Sequence, residues 1–253
     1  MLEETGRPGE AEPYREEVLA LRDRQLGPAH PDTLAAANNL ALVLSEQGKL
    51  QEAEPLYRGA LAGFEKVLGP HHPSTLTLLN NIAMLLRQEQ RLDEAEPYLR
   101  RAMEGSEHTL GADHQHTLQA VNNLASLLHD NGRLEEAEPL LRQALDSHNK
   151  LLGDAHPDTH MLANNLADLL RDLGKLEEAE ILMESVLSGL TKILGVDHPN
   201  TQIARENLED LQEAMTGQDQ DGPGNSKGGD FDIGFGGMED ELPPVQRRPM
   251  SAS

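Results

Sequence analysis

Five histidines recur at one interval: His30, His72, His114, His156 and His198, each 42 residues after the last. Imidazole is a common metal ligand, but the ligands of one zinc ion must converge to about 2.0–2.1 Å from it. A residue repeated once per structural unit forms a row instead, with neighbours on the order of 10 Å apart. The expected role is loop packing and bonding at a helix start. His71–His72 and His114/His116 are local pairs without carboxylate or thiolate companions, so no metal site is expected there either.

Paired asparagines suit binding better than catalysis. Asn38–Asn39, Asn80–Asn81, Asn122–Asn123 and Asn164–Asn165 share the same interval. Asparagine is a poor interior helix residue because its amide competes for the backbone, so something must compensate for it in every unit. Two roles fit, and they are compatible: hydrogen bonds to the extended backbone of a bound peptide, or bonds between neighbouring units. One turn further along, Ser45, Arg87, His129 and Arg171 form another row. Arginine grips carboxylates through two parallel donors, so this row is a candidate for acidic groups of a partner. Glu46, Asp130, Asp168 and Asp172 lie close enough in sequence to neutralise it.

Catalytic residues are not expected. The sequence has no phosphate-cradling glycine loop, no nucleophile elbow and no cysteine nucleophile. The carboxylates of "LEEAE" at 134–138 and 176–180 recur with the repeat and are assigned to a solvated helix start. No cofactor is implied.

The elements that hold these rows are helical. Leu34, Ala37, Leu40, Ala41 and Leu44 mark one apolar stripe, and a second runs from Leu50 through Ala53, Tyr57, Ala60 and Leu61 to Val67. Gly48, Gly132 and Gly174 allow the tight turn between stripes, with Gln90 in that position of the second unit. Gly69 suits a left-handed helix end, Pro31 and Pro73 a first helical turn, and Asp32 and Asp158 the positive end of the helix dipole. Ala53, Ala95, Ala137 and Ala179 recur where two helices must approach closely. A lone hairpin cannot bury its apolar face, so neighbouring hairpins must stack.

The units follow directly: a partial repeat containing only a second helix at 1–25, then repeats at 26–67, 68–109, 110–151 and 152–193. A polar capping helix at 194–215 comes next, and an acidic, glycine-rich tail at 216–253 is expected to be disordered. The fold class is all-α.

Composition limits the partners. Lys plus Arg is 21 against 44 for Asp plus Glu, a net charge of −23. Such a surface repels phosphates and anionic lipid headgroups, so neither nucleic acid nor a membrane is an expected partner. The apolar run Leu40–Leu44 is far short of a membrane span, and the first twenty residues lack a signal-peptide core. The absence of cysteine fits a reducing compartment, so a cytoplasmic location is expected.

The spacing Gly48, Ala53, Tyr57, Ala60 resembles the turn glycine and the small-or-aromatic positions of the tetratricopeptide motif. The whole unit, "LGPAHPDT…NNLA…GKLQEAEPLYRGAL", closely resembles the repeats of kinesin light chains and nephrocystin-like proteins over roughly residues 10–215. That resemblance implies a right-handed α-solenoid of stacked antiparallel hairpins. It also implies a concave groove lined by Asn39, Asn81, Asn123 and Asn165, with Asn38, Asn80, Asn122 and Asn164 beside them and Arg87, His129 and Arg171 one turn along. The family's habit of receiving acidic peptides with an aromatic anchor would extend to this row. Kinesin light chains also carry a heptad coiled coil that engages the motor heavy chain, and this sequence contains no such segment.

In the tail, Phe231, Ile233 and Phe235 alternate with acids and form a candidate linear motif, expected to bind another protein or this chain's own groove. Arg247–Arg248–Pro249–Met250–Ser251 makes Ser251 a candidate phosphosite. The leading functional expectation is a non-enzymatic scaffold or adaptor that binds a protein or peptide segment. The alternatives are a kinesin light chain-like motor–cargo adaptor, and a piece of a larger enzyme or signalling protein that carries this array.

Overall fold

A computed structural model describes residues 8–153 and 156–217. Among them are ten α-helices and no strand. The tail motif Phe231, Ile233, Phe235 and the candidate phosphosite Ser251 lie outside the described residues. Two compact units divide the chain after Thr109.

The first unit contains α1 (Pro8–Leu26), α2 (Pro31–Glu46), α3 (Leu50–Val67), α4 (Pro73–Gln88) and α5 (Leu92–Leu110). Here α2 packs on α1, α3 and α4, and α3 also packs on α4. The second unit contains α6 (Gln115–Asp130), α7 (Leu134–Leu152), α8 (Pro157–Asp172), α9 (Leu176–Leu194) and α10 (Pro199–Gly217). Each of these helices packs on the next, and α6 also meets α8. Hairpins therefore stack within each unit, first helix beside first helix.

The core follows the recurring apolar positions. Ala53, Ala95, Ala137 and Ala179 are fully buried, and so is the first-helix row Ala41, Ala83, Ala125 and Ala167. Methyl-sized side chains at both rows let the helix axes approach. Tyr57 and Phe64 fill the first unit's interior. Burial pushes the Tyr57 phenol up to about 12.

A further row of small residues has a steric cause. Gly63 and Gly105 occupy equivalent places on α3 and α5, with Ser147 and Gly189 at the matching places on α7 and α9. A Cβ on Gly63 would come within 2.5 Å of a Leu34 methyl, and one on Gly105 within 2.5 Å of a Leu76 methyl. At Gly189 the obstacle is the buried ring of His160, which stands where other units have leucine.

Turn geometry explains the glycine at the inter-helix corner. Gly48, Gly132 and Gly174 have φ of 71–75°, in the left-handed region. Gln90 takes the same conformation with φ 60°, and it is the one non-glycine residue among those described to do so.

Candidate functional site

The histidine row caps helices. In His30, His72, His114 and His198 the Nδ1 atom accepts the backbone N–H two residues on, at 3.1–3.2 Å. Helices α2, α4, α6 and α10 thereby gain an acceptor for one of their otherwise unpaired N-terminal amides, with Pro31 or Pro73 at the next position in α2 and α4. The lone pair that a metal would need is already used. Burial holds the His72 imidazole below its usual pKa, in keeping with a neutral acceptor. The threonine three residues after the cap closes the same loop: Thr75, Thr117 and Thr159 donate from Oγ1 to the carbonyls of Gly69, Gly111 and Gly153 at 2.8–3.0 Å.

The paired asparagines join neighbouring hairpins. Asn81 donates from Nδ2 to Asn38 Oδ1 at 2.9 Å, linking α4 to α2. Asn165 makes the same 2.9 Å bond to Asn122, linking α8 to α6. The first asparagine of a pair is buried at positions 38, 122 and 164, whereas the second is half-buried at 39, 81, 123 and 165. Asn38 also donates to Asn39 Oδ1, and Asn80 donates to its own helix at Leu76 O. Asn81 and Asn165 each use an amide hydrogen in the ladder and keep a carbonyl oxygen for another donor.

The arginine row is partly neutralised from within. His129 Nε2 lies 2.8 Å from Asp172 Oδ2. Arg171 reaches Asp168 at 3.4 Å and Asp172 at 3.5 Å. Asp168 also accepts from Asn164 Nδ2, and burial raises its carboxyl pKa against the pull of Arg171 and His129. Ser45 turns back to its own helix, donating to Ala41 O.

By helical register the open sides of the first helices carry one residue per turn. They are Ala35, Asn39, Leu42 and Glu46 on α2, and Thr77, Asn81, Met84 and Gln88 on α4. The corresponding residues are Gln119, Asn123, Ser126 and Asp130 on α6, and Met161, Asn165, Asp168 and Asp172 on α8. Leu42 is 44% exposed, so α2 offers apolar surface, whereas the open side of α8 ends in the part-exposed Asp172, with the mostly buried Asp168 one turn before it.

A second ladder went unread in the sequence. Lys49 binds Glu12 at 2.6–2.7 Å, Arg91 binds Glu54 at 3.0 Å, and Lys175 binds Glu138 at 2.6–2.8 Å. Each cation sits at a hairpin corner and reaches the glutamate 37 residues earlier, in the preceding hairpin. Arg58 and Arg142 grip the same Glu54 and Glu138 from one turn along. Hydrogen bonds from Arg91 and Lys175 accordingly hold these two carboxyls below the usual range. The last carboxylate of each "LEEAE" stretch is thus a linker between hairpins: Glu138 holds Lys175, and Glu180 accepts from Gln212 of α10 at 2.8 Å. The readable signal was a Lys or Arg after every corner residue, always in step with that glutamate.

Caps, ladders and small-residue rows together define a class: a repeat protein of stacked helical hairpins in which polar side chains set the register between units. The chain belongs to the tetratricopeptide repeat family, whose sequence profile matches it in overlapping windows at 1–66, 32–108, 74–150, 116–190 and 158–221. Among solved structures it is similar to a kinesin light chain-like protein of Podosopora anserina with nearly identical TPR-like repeats. The identity is 29% and the TM-score 0.68, covering 76% of this chain and 90% of that one. A single-substitution variant of that protein matches with 29% identity and a TM-score of 0.69, over 75% and 89% of the two chains. BtubC (BKLC) from P. vanneervenii shares the fold with 18% identity and a TM-score of 0.64, over 88% and 95%. No curated protein matches the sequence.

Tetratricopeptide repeat proteins are generally non-catalytic interaction scaffolds, and the architecture of this chain is of that kind. Among the described residues no helix is long and apolar enough to cross a membrane.

Proposed function

We propose that this chain is a cytoplasmic adaptor that holds a peptide segment of a partner protein along the open side of its first helices. The observation that carries the reading is the half-buried asparagine row. Asn81 and Asn165 are fixed by their ladder bonds, and each keeps an amide carbonyl available to a peptide N–H. A donor–acceptor row held in place by its neighbours costs little further ordering when a peptide binds.

Charge narrows the partner. In the second unit His129 and Arg171 already face Asp168 and Asp172, and Asp130 adds a further acid. That side favours a partner segment with basic residues over the acidic peptides suggested by family resemblance. In the first unit Leu42 and Met84 suit an apolar anchor. A kinesin light chain-like motor–cargo role is the second reading, favoured by the 29% identical solved structure.

The test is site-specific photo-crosslinking in the full chain. A crosslinker at Leu42 or Met84, both on the open side of the first unit, should capture the same partner protein. The same group at Ile181, which is 67% exposed on α9, should not. Capture from Ile181 alone would place the partner elsewhere and refute the proposal.

A further inference from the structure

The loop edge of the second unit exposes a run of apolar side chains. Leu151 and Leu152 close α7, Ile193 and Leu194 close α9, and Val196 follows in the next loop; all five are 37–54% exposed. They occupy matching positions of consecutive hairpins, so the two clusters lie roughly one helix-pair spacing apart, on the order of 10 Å. Lys150 and Lys192 project from the same final turns, both exposed. Neither has an ion pair among the described residues, although the chain carries 44 carboxylates. Two unpaired cations bordering an apolar ridge on so acidic a protein make a surface suited to an extended segment that alternates apolar and acidic residues.

The chain contains such a segment. In Asp230-Phe231-Asp232-Ile233-Gly234-Phe235 the apolar residues recur at every second position, with two acids between them. An extended backbone puts alternate side chains on one face and spaces Phe231 and Phe235 by about 13 Å, comparable to the separation of the two apolar clusters. The linker is long enough. The 19 residues of α10 run about 28 Å from the 195–198 loop to Gly217. Residues 218–230 reach up to about 43 Å back, at about 3.3 Å each.

We propose that residues 230–235 dock in extended form on this loop edge, Phe231 and Phe235 against Leu151, Leu152, Ile193 and Leu194, while Asp230 and Asp232, on the opposite face of the strand, meet the long side chains of Lys150 and Lys192 reaching round its edge. The site is distinct from the open side of the first helices, where Arg171 is already held by Asp168 and Asp172. Tethering raises the local concentration of the segment to the millimolar range, so a weak motif suffices.

The protein has no tryptophan, which permits a clean probe. Phe231→Trp in the full chain should emit to the blue of the same residue in a synthetic 226–239 peptide. The shift should be lost on Ile193→Asp, and lost again in the double variant Lys150→Glu with Lys192→Glu, whose exposed positions leave helix content unchanged by circular dichroism. Emission equal to that of the free peptide overturns the proposal. So does a blue shift that survives both sets of substitutions, which would place the segment elsewhere. A shift that disappears on dilution assigns the contact to a second copy and overturns the intramolecular docking.

Discussion

Removing Asn81 tests the asparagine ladder most directly. Asn38 is 4% exposed, and its Oδ1 receives the Asn81 amide at 2.9 Å. Asn81→Ala leaves that buried oxygen without its donor, a loss of about 1–3 kcal/mol. Asn38→Ala removes the acceptor instead; the half-buried Asn81 amide recovers solvent, so the loss is smaller, about 0.5–1.5 kcal/mol. In the double variant no orphan remains. Its loss should fall short of the sum of the singles by at least about 0.5 kcal/mol, the lower end for residues in contact. The assay is urea unfolding followed by circular dichroism, with thermal melts in parallel. For a chain of this size each kcal/mol corresponds to about 2–4 °C. Slopes against urea must be unchanged for the comparison to hold, because repeat arrays can lose cooperativity. Additivity within about 0.3 kcal/mol would refute the ladder as a stabilising contact, leaving the row to partner binding alone.

Gln90→Gly should stabilise the first unit by about 0.5–1 kcal/mol, since relief of left-handed strain outweighs the added freedom of the unfolded chain; an unchanged or lower melting temperature would contradict this. Gly105→Ala should destabilise by up to about 2 kcal/mol, because displacing Leu76 costs about 1–3 kcal/mol and alanine's helix preference over glycine returns about 1 kcal/mol, detectable as a lower urea midpoint. The His72 pKa is lowered by burial, so stability from this group is complete above the unfolded value near 6.5 and declines as pH falls below it. His72→Asn keeps a capping acceptor without a titration and should flatten the melting temperature between pH 7 and 5. Glu138, held below the ordinary carboxylate value by Lys175, contributes stability that is present above about pH 4.5 and lost as pH falls through the lowered value. Lys175→Met should therefore lower stability at neutral pH and, relative to each variant's own neutral stability, lose less of it as pH falls below about 4.5.

Sequence alone determined the hairpin, the 42-residue period and the helical class, because the relevant physics is local or strictly periodic. Leu and Ala at helical spacing select the helix faces, Gly48 and Gly69 end the helices, and one apolar face per hairpin forces stacking. The helix-start role of the histidines was legible for the same reason: the cap bond joins residues two apart. What the asparagines touch was decided only by tertiary structure. Asn81 finds Asn38 across 43 residues, and Asn165 finds Asn122 likewise, through the register of one hairpin on the next. That register also converts Glu54 and Glu138 from apparently solvated helix-start acids into links between hairpins, and sets Asp168 and Asp172 against Arg171. Side-chain reach across stacked helices depends on axis separation and rotation, which the close approach at Ala53, Gly63 and their equivalents fixes in three dimensions. A repeat in sequence specifies that such contacts recur; only the packed helices specify between which atoms.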